Sequence, residues 1–380
     1  MSKGTSSGLL DTPKAQSVFK HAILDGYVIP FAVMTASKVP DRRAVLLDGF
    51  AGRGRYEDGR PASAEHLLRA AESARSSTKV EVFLVERSKK DFTLLASVAD
   101  EYRQRGVTVE ANHGVIQDYI RQVLARATGA PLFLFLDPCG ANLPFDTLTK
   151  ILGHDRRTDW PRTEALLNIS AELTRRAAGA VAKGLTDHDA VPVMNAMCGG
   201  EWWQETALKA HSASPTPDWE SAAEAVVDEY ARRIAKACRM KAVVAPVRRK
   251  AHHQPVYHLV FLTRMNYGLW VFADAAARAR HKWLDALGPS DEEVEGMLFD
   301  MVADQIESET ETSLLKIKDN LRALAAQGHR QKLVDHTTAV FDGFYGTALE
   351  KTVRKAMREL QDEGVAVDAK PKQLRDWLIG

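Results

Sequence analysis

Val45-Leu46-Leu47-Asp48-Gly49-Phe50-Ala51-Gly52-Arg53-Gly54 decides the fold of this chain. Ala44 to Leu47 is a short apolar run of strand type, and Asp48 ends it with a carboxylate at the edge where open α/β sheets bind ligands. Ala51, Gly52 and Gly54 then permit tight turning and close backbone approach. By itself the segment also fits an ordinary strand-to-helix turn without a ligand.

Two further runs extend the pattern. Val80 to Val85 reads as a strand that ends in Glu86, 38 residues after Asp48. Pro131 to Leu136 runs directly into Asp137-Pro138-Cys139-Gly140. Three strands that each deliver an acid to one edge are hard to explain by packing alone. A dinucleotide dehydrogenase expects G-x-G-x-x-G with an acid about 20 residues on, whereas here the acid precedes the glycines and the second acid lies much later. The order resembles class I methyltransferases that bind S-adenosylmethionine, whose D-x-F-x-G-x-G turn holds the methionine moiety and whose later acid holds the ribose. That resemblance implies a cofactor set of Asp48, Phe50, Ala51, Gly52, Gly54 and Glu86, with Asp48 near the methionine amino group and Glu86 at the ribose.

A narrower resemblance runs through residues 14 to 285. Lys20-His21-Ala22-Ile23-Leu24 with Tyr27, then DGFAGRGRYEDG from Asp48, FLVE from Phe83 and FLDPCG from Phe135 follow in order. Leu166-Leu167-Asn168-Ile169, Gly200-Glu201-Trp202-Trp203 and the Tyr257 to Thr263 segment with Asn266 and Gly268 complete the series. Together these resemble the bacterial three-Cys-motif partner family, named for a neighbouring protein that carries three cysteines. The resemblance implies a methyltransferase-like activity, a possible three-cysteine partner and a place in a defence or repair gene cluster. Arg53 stands where that family usually has proline, Pro61-Ala62-Ser63 where it has GSP, and Cys139 where it has phenylalanine.

Composition bounds the partners. The chain has 380 residues, 45% of them hydrophobic, enough for a large α/β core and a smaller appendage. Its net charge is only +1, from 51 basic and 50 acidic side chains, so any polyanion contact must be local. No membrane is expected, since no apolar run is read as reaching the ~20 residues of a bilayer span, and Met1 to Ser7 is too polar for a signal peptide. A cytoplasmic protein with reduced thiols is expected, because Cys139, Cys198 and Cys238 are too far apart in sequence for a zinc motif. No metal is expected.

The organisation reads as a mobile lead over 1–13, a Rossmann-like methyltransferase-type domain over 14–285, and a C-terminal helical or winged-helix-like region over 286–380. Helices and strands alternate from Ala15 to Ser170, as in a mostly parallel sheet with helices on both faces. A polar helical insertion follows at about 185–235, with Trp202, Trp203 and Trp219 expected to shape a substrate cleft. Ala242 to Val247 and Tyr257 to Thr263 read as a closing antiparallel pair. In the tail, Leu314 to Ala326, Gln331 to Val340 and Thr347 to Glu363 read as helices, and Gly364 to Val367 as a short wing strand. A winged-helix DNA-binding module and a helical cap that only packs both fit that pattern.

For the acceptor, an Asp-Pro pair at a strand end resembles the fourth motif of enzymes that methylate exocyclic amines of nucleic-acid bases. DPCG is nearer the DPFG of tRNA guanine-N2 dimethyltransferases than the aromatic-bearing motif of adenine enzymes. Asp137 and Pro138 are therefore the catalytic candidates, with a helix-capping Asp137 as the plainer reading. A Pro-Cys nucleophile at Cys139 is a further alternative. Arg53, Arg55 and Arg60 beside the cofactor turn, and Arg248, Arg249 and Lys250 in the densest basic run, are candidates for DNA or RNA phosphates, with a solvated surface turn as the favoured reading of the second cluster. His252 and His253 are adjacent and would point apart on a strand, a poor metal pair. Three functions stay open: an S-adenosylmethionine-dependent methyltransferase acting on nucleic acid, a non-catalytic nucleic-acid-binding or scaffold partner of a three-cysteine protein, and a metal-dependent nuclease built on the clustered acids.

Overall fold

A computed structural model describes residues 15–157, 161–214, 219–248, 254–286 and 295–380. The lead over 1–13 and Arg249, Lys250, His252 and His253 lie outside the described residues. Contacts divide the chain into two units, one of 1–16 with 28–264 and the other of 17–27 with 265–380.

Helix α1 (Ala15–Ala36) is divided between the units, Ser17–Tyr27 falling in the second, and the first unit then alternates β1 (Arg43–Asp48), α2 (Ser63–Ala74), β2 (Lys79–Glu86), α3 (Lys89–Gln104), β3 (Thr108–His113), α4 (Ile116–Arg126) and β4 (Leu132–Leu136). Helix α5 (Phe145–Thr149) runs into a π-helical turn over Lys150–Asp155, and β5 (Thr163–Ser170) leads to α6 (Ala171–Ala182). Helices α7 (Ala190–Cys198), α8 (Trp202–Ala213) and α9 (Trp219–Cys238) precede β6 (Lys241–Arg248) and β7 (Pro255–Thr263).

The seven strands form one sheet in the order β3-β2-β1-β4-β5-β7-β6. β1 pairs in parallel with both β2 and β4, and β7 lies antiparallel between β5 and β6. The β6–β7 pair is the closing antiparallel pair read from the sequence. This is the Rossmann-like fold of class I methyltransferases, with its antiparallel strand inserted near one edge. Strands β4 and β5 are buried along almost their whole length, because crossover helices cover both faces and leave no polar alternation. On one face Val45, Leu47, Leu132, Leu134, Ala165 and Leu167 pack with residues of α4, α6 and the insertion, Val123, Ala177, Trp203 and Val227 among them.

The insertion's tryptophans are packing residues. Trp203 is fully buried and donates its ring N–H to Asn195 Oδ1 at 2.8 Å. Trp202 donates to the Cys198 carbonyl and lies under Arg233, and Trp219 stacks on His211 with ring centroids 3.8 Å apart. Trp203 is part of the core of the sheet, and Trp202 and Trp219 pack against it.

Helix α1 corrects one expectation. Its segment Ser17–Ala36 is long and apolar enough to cross a membrane by length and composition, and half of it is buried inside the protein. Ile23, Leu24, Val28 and Phe31 are buried, and the Phe31 ring lies 5.5 Å from Phe133 of β4. Lys20 and Asp25 interrupt the run, which is why it does not read as a continuous apolar stretch.

The second unit holds α10 (Asn266–Asp285), α11 (Glu295–Ala325), β8 (Gln331–Lys332), α12 (Thr337–Val340), α13 (Glu350–Asp362), β9 (Val367–Asp368) and β10 (Leu378–Ile379). α10 clusters with this unit, so the contact boundary falls after Arg264. The small strands pair antiparallel in the order β8-β10-β9. Helix, strand, helix, helix and a two-stranded wing is the chain order of a winged helix. Gln331 to Val340, read as one helix, is instead β8, a 3₁₀ turn over Leu333–His336 and α12. Pairing of Gln331 and Lys332 with Ile379 and Leu378 spans almost fifty residues, and no local signal announces it.

Burial in the first sheet carries a pH consequence. His258 in β7 is 2% exposed, and desolvation, joined by Arg248 and Arg175, pushes its pKa down to about 4 from 6.5. Between those values the unfolded chain binds a proton that the folded chain refuses. The associated stability is complete above about pH 6.5 and is lost as the pH falls towards about 4. We predict that the pH dependence of unfolding free energy across this window is flatter in His258→Leu than in the native chain by about 3 kcal/mol. Urea melts at the two ends of the window check this, and equal slopes would refute it.

Candidate functional site

Strand register brings the predicted acids together. Asp48 is level with Leu84 of β2 and Phe135 of β4, and Glu86 and Asp137 each follow two residues later on those parallel neighbours. All three therefore stand at the C-terminal edge of β2, β1 and β4. The strand order reverses between β1 and β4, so this edge is the topological switch point at which open α/β sheets form their ligand crevice.

The glycine turn is stitched to both neighbours. Gly49 N donates to the Phe135 carbonyl at 3.0 Å and Ala51 N to the Val85 carbonyl at 2.9 Å. Asp48 is fully buried, accepting from Phe50 N at 3.0 Å and from the Ser63 hydroxyl at 2.9 Å. Its carboxylate folds the turn and fastens it to the start of α2. Phe50 is half-buried and Ala51 buried beside it. Gly52 and Gly54 have φ of +61° and +82°, where a side chain would be strained. A Cβ on Gly52 would meet nothing within 4 Å, whereas one on Gly54 would press on Val98 of α3 at 3.3 Å. Gly52 thus leaves open backbone facing outward, and Gly54 permits close packing inward.

Glu86 accepts from Gly52 N at 2.9 Å and from Ser88 N. A carboxylate offers about four acceptor positions, so two backbone donors leave capacity for a vicinal diol such as a ribose. The acid at the end of β2 and the turn after β1 are joined into one surface. Ser88 also caps α3 by accepting from Asp91 N.

Asp137 is half-buried at the end of β4, and its Oδ1 accepts from Asn168 Nδ2 at the end of β5. Asn142 is buried and donates to the carbonyls of Leu136 and Asn168, each at 3.1 Å, while its Oδ1 accepts from Leu143 N at 2.8 Å. The Asp137-Pro138-Cys139-Gly140 loop is thereby clamped between two strands. Asn142, Asn168, Ser63 and Ser88 carried no assigned role in the sequence reading. The one visible signal was a polar residue interrupting the apolar run Leu166-Leu167-Asn168-Ile169.

The arginine candidates are held by carboxylates. Arg53 reaches Asp91 at 3.2 Å and Glu57 at 3.1 Å, with only 13% of its side chain exposed, so its charge is offset within the turn region. Arg55 makes paired contacts to Glu65, at 2.6 and 3.0 Å, and to Glu101, at 3.0 and 2.8 Å. Burial pushes the Glu65 carboxyl up, but hydrogen bonds from Arg55 and Tyr102 outweigh it and hold it below the usual range. Arg60 pairs with Asp58, and Arg248 with Glu220 and Glu224. A phosphate at any of these four would have to compete with an existing carboxylate. Arg249 and Lys250 lie outside the described residues.

The three thiols differ sharply. Cys139 is exposed, whereas Cys198 and Cys238 are buried. Burial pushes the buried thiols up to about 12 and about 11, which leaves them inert. Among the described residues no group of three or more His, Cys, Asp or Glu side chains is placed to hold a metal ion.

A Rossmann-like class I methyltransferase fold thus brings three strand-end acids together at its switch point. Neither protein-family profiles nor curated proteins match the chain. Among solved structures it is similar to M. jannaschii TYW2 in complex with AdoMet, at 12% identity and a TM-score of 0.27, over 63% of this chain and 74% of that one. A likeness that loose leaves the fold assignment to the strand order itself.

Thiol accessibility gives a direct check on the loop after β4. We predict one maleimide adduct per folded chain, at Cys139, and three after denaturation, counted by intact mass. Rapid labelling of Cys198 or Cys238 in the folded protein would contradict this packing.

Proposed function

We propose that the protein is an S-adenosylmethionine-dependent methyltransferase whose acceptor is an exocyclic amine of a nucleic-acid base. The observation that carries the reading is the hydrogen bond from Gly52 N to Glu86, which unites a left-handed glycine turn and a strand-end carboxylate at the switch point. The sequence resemblance to the three-Cys-motif partner family, with its motifs in the same order, supports it too.

The cofactor would supply a methyl group on a sulfonium, and in-line transfer asks the protein mainly for position, worth about 7–11 kcal/mol. Glu86 would take the ribose hydroxyls. The turn from Phe50 to Gly54 would hold the methionine end, with Asp48 acting from beneath as the group that shapes the turn. Asp137, oriented by Asn168, would accept a hydrogen bond from the acceptor amine as positive charge develops on nitrogen, and the Pro138 carbonyl would do the same from the loop. With the Arg53 guanidinium drawn to Asp91 and Glu57, its charge is offset by acids of its own neighbourhood.

Calorimetry with S-adenosylmethionine should show binding by the native chain, weakened by roughly ten- to a hundredfold in Glu86→Ala through loss of charge-assisted hydrogen bonds. Absence of binding at millimolar ligand would remove the proposal. Tritiated methyl transfer to total nucleic acid should fall by at least about a hundredfold in Asp137→Ala, while Cys139→Ser retains it. Loss of transfer in Cys139→Ser alone would favour the thiol nucleophile. Nucleic-acid binding unchanged in Asp48→Ala and Asp137→Ala, without methyl transfer in any form, would favour the non-catalytic partner.

A further inference from the structure

The methyltransferase reading leaves the second unit unused, and there, with 15 basic against 20 acidic side chains over 265–380, any cationic surface has to come from how charge is distributed along single elements. Helix α13 separates its residues into two stripes. Val353, Ala356, Met357 and Leu360, at i, i+3, i+4 and i+7, are all buried in the unit's core with Leu321, Leu333 and Ile379. Lys351, Arg354, Lys355 and Arg358 repeat the same spacing on the opposite side. Lys351, Lys355 and Arg358 are exposed, and Arg354 is half-buried.

The helix's acids are engaged elsewhere. Glu359 and Glu363 face α11, where Lys318 binds both and Arg322 binds Glu363. Glu350 accepts from the Trp270 ring N–H and lies 3.6 Å from Arg354. Asp362 is the one exposed acid at the end of the basic stripe. Lys355 keeps 66% of its side chain exposed despite a 4.0 Å approach to Glu359.

The loop between β9 and β10 adds further exposed cations. Lys370 and Lys372 are exposed on it, and Arg354 of α13 stacks over Trp377 at its far end, 5.2 Å from the ring centroid. Arg354 thus ties the helix to the end of that loop, in a unit whose chain order is that of a winged helix. In helix-turn-helix proteins the second helix of the pair enters the major groove, and the position of α13 after α12 corresponds to it.

We infer that the α13 face and the loop between β9 and β10 form a docking surface for duplex DNA. The B-form major groove admits a helix of this width, whereas the A-form groove of double-stranded RNA does not. Each phosphate neutralised releases counterions and adds about 0.9 to the salt dependence of binding. This surface is independent of the methyl-transfer site, and either proposal can fail alone.

The test is fluorescence anisotropy of the full chain with a short labelled DNA duplex at low and moderate salt. Native protein should bind, more weakly as salt rises. Lys355→Glu with Arg358→Glu should bind at least tenfold less tightly and show a shallower salt slope, while Lys209→Glu on α8 should bind as the native chain does. Calorimetry with S-adenosylmethionine should be the same for the native and doubly substituted proteins, and circular dichroism melts confirm folding. Lys355→Gln, which removes a charge without adding an acid, should lie between them. Failure of the native chain to bind the duplex, native-like binding by the double variant, or equally tight binding of an RNA duplex of the same sequence would each overturn the assignment.

Discussion

The first unit depends on one hydrogen bond between neighbouring strand ends, from the Gly52 amide to the Glu86 carboxylate. It requires β1 and β2 to be parallel and in register, the turn after β1 to be left-handed, and the acid to stand just beyond the last paired residue. Parallel pairing of buried apolar strands meets the first requirement, and glycine at positive φ meets the second. Around that bond the molecule places its polar groups where strand order reverses, and keeps the rest of the sheet apolar.

The same economy governs the acids. Asp48 is buried and spends its two oxygens on Phe50 N and Ser63, so it works as the scaffold of the turn. Glu86 accepts instead from two backbone amides, Gly52 N and Ser88 N, at the strand end. Asp137 differs again, half-buried and oriented by Asn168 across the β4–β5 gap. Three carboxylates with one sequence signature, a strand running into an acid, thus have three physical situations set by burial and by what donates to them.

Electrostatics also separates the two units. In the first, Arg53, Arg55, Arg60 and Arg248 are matched with carboxylates, and the resulting pairs brace the turn and the helices. In the second, Glu359 and Glu363 pair with α11 while Lys351, Lys355 and Arg358 of α13 stay exposed. A net charge of +1 says nothing of such local segregation, because it sums over the whole chain.

The sequence by itself determined the alternation of strands and helices through Ser170, the antiparallel closing pair, the left-handed turn and the three strand-end acids. Those features rest on local rules: apolar periodicity, the conformational freedom of glycine and the length of a strand. Tertiary structure alone decided what each charge meets. Arg55 finds Glu101 46 residues away, and Asn142 finds the Asn168 carbonyl 26 residues away. It also made Trp203 of the insertion a core residue and turned Gln331 and Lys332 into a strand, because their partner is Leu378–Ile379 at the far end of the chain. Such pairings depend on which elements the fold brings side by side, and no stretch of adjacent residues carries that information.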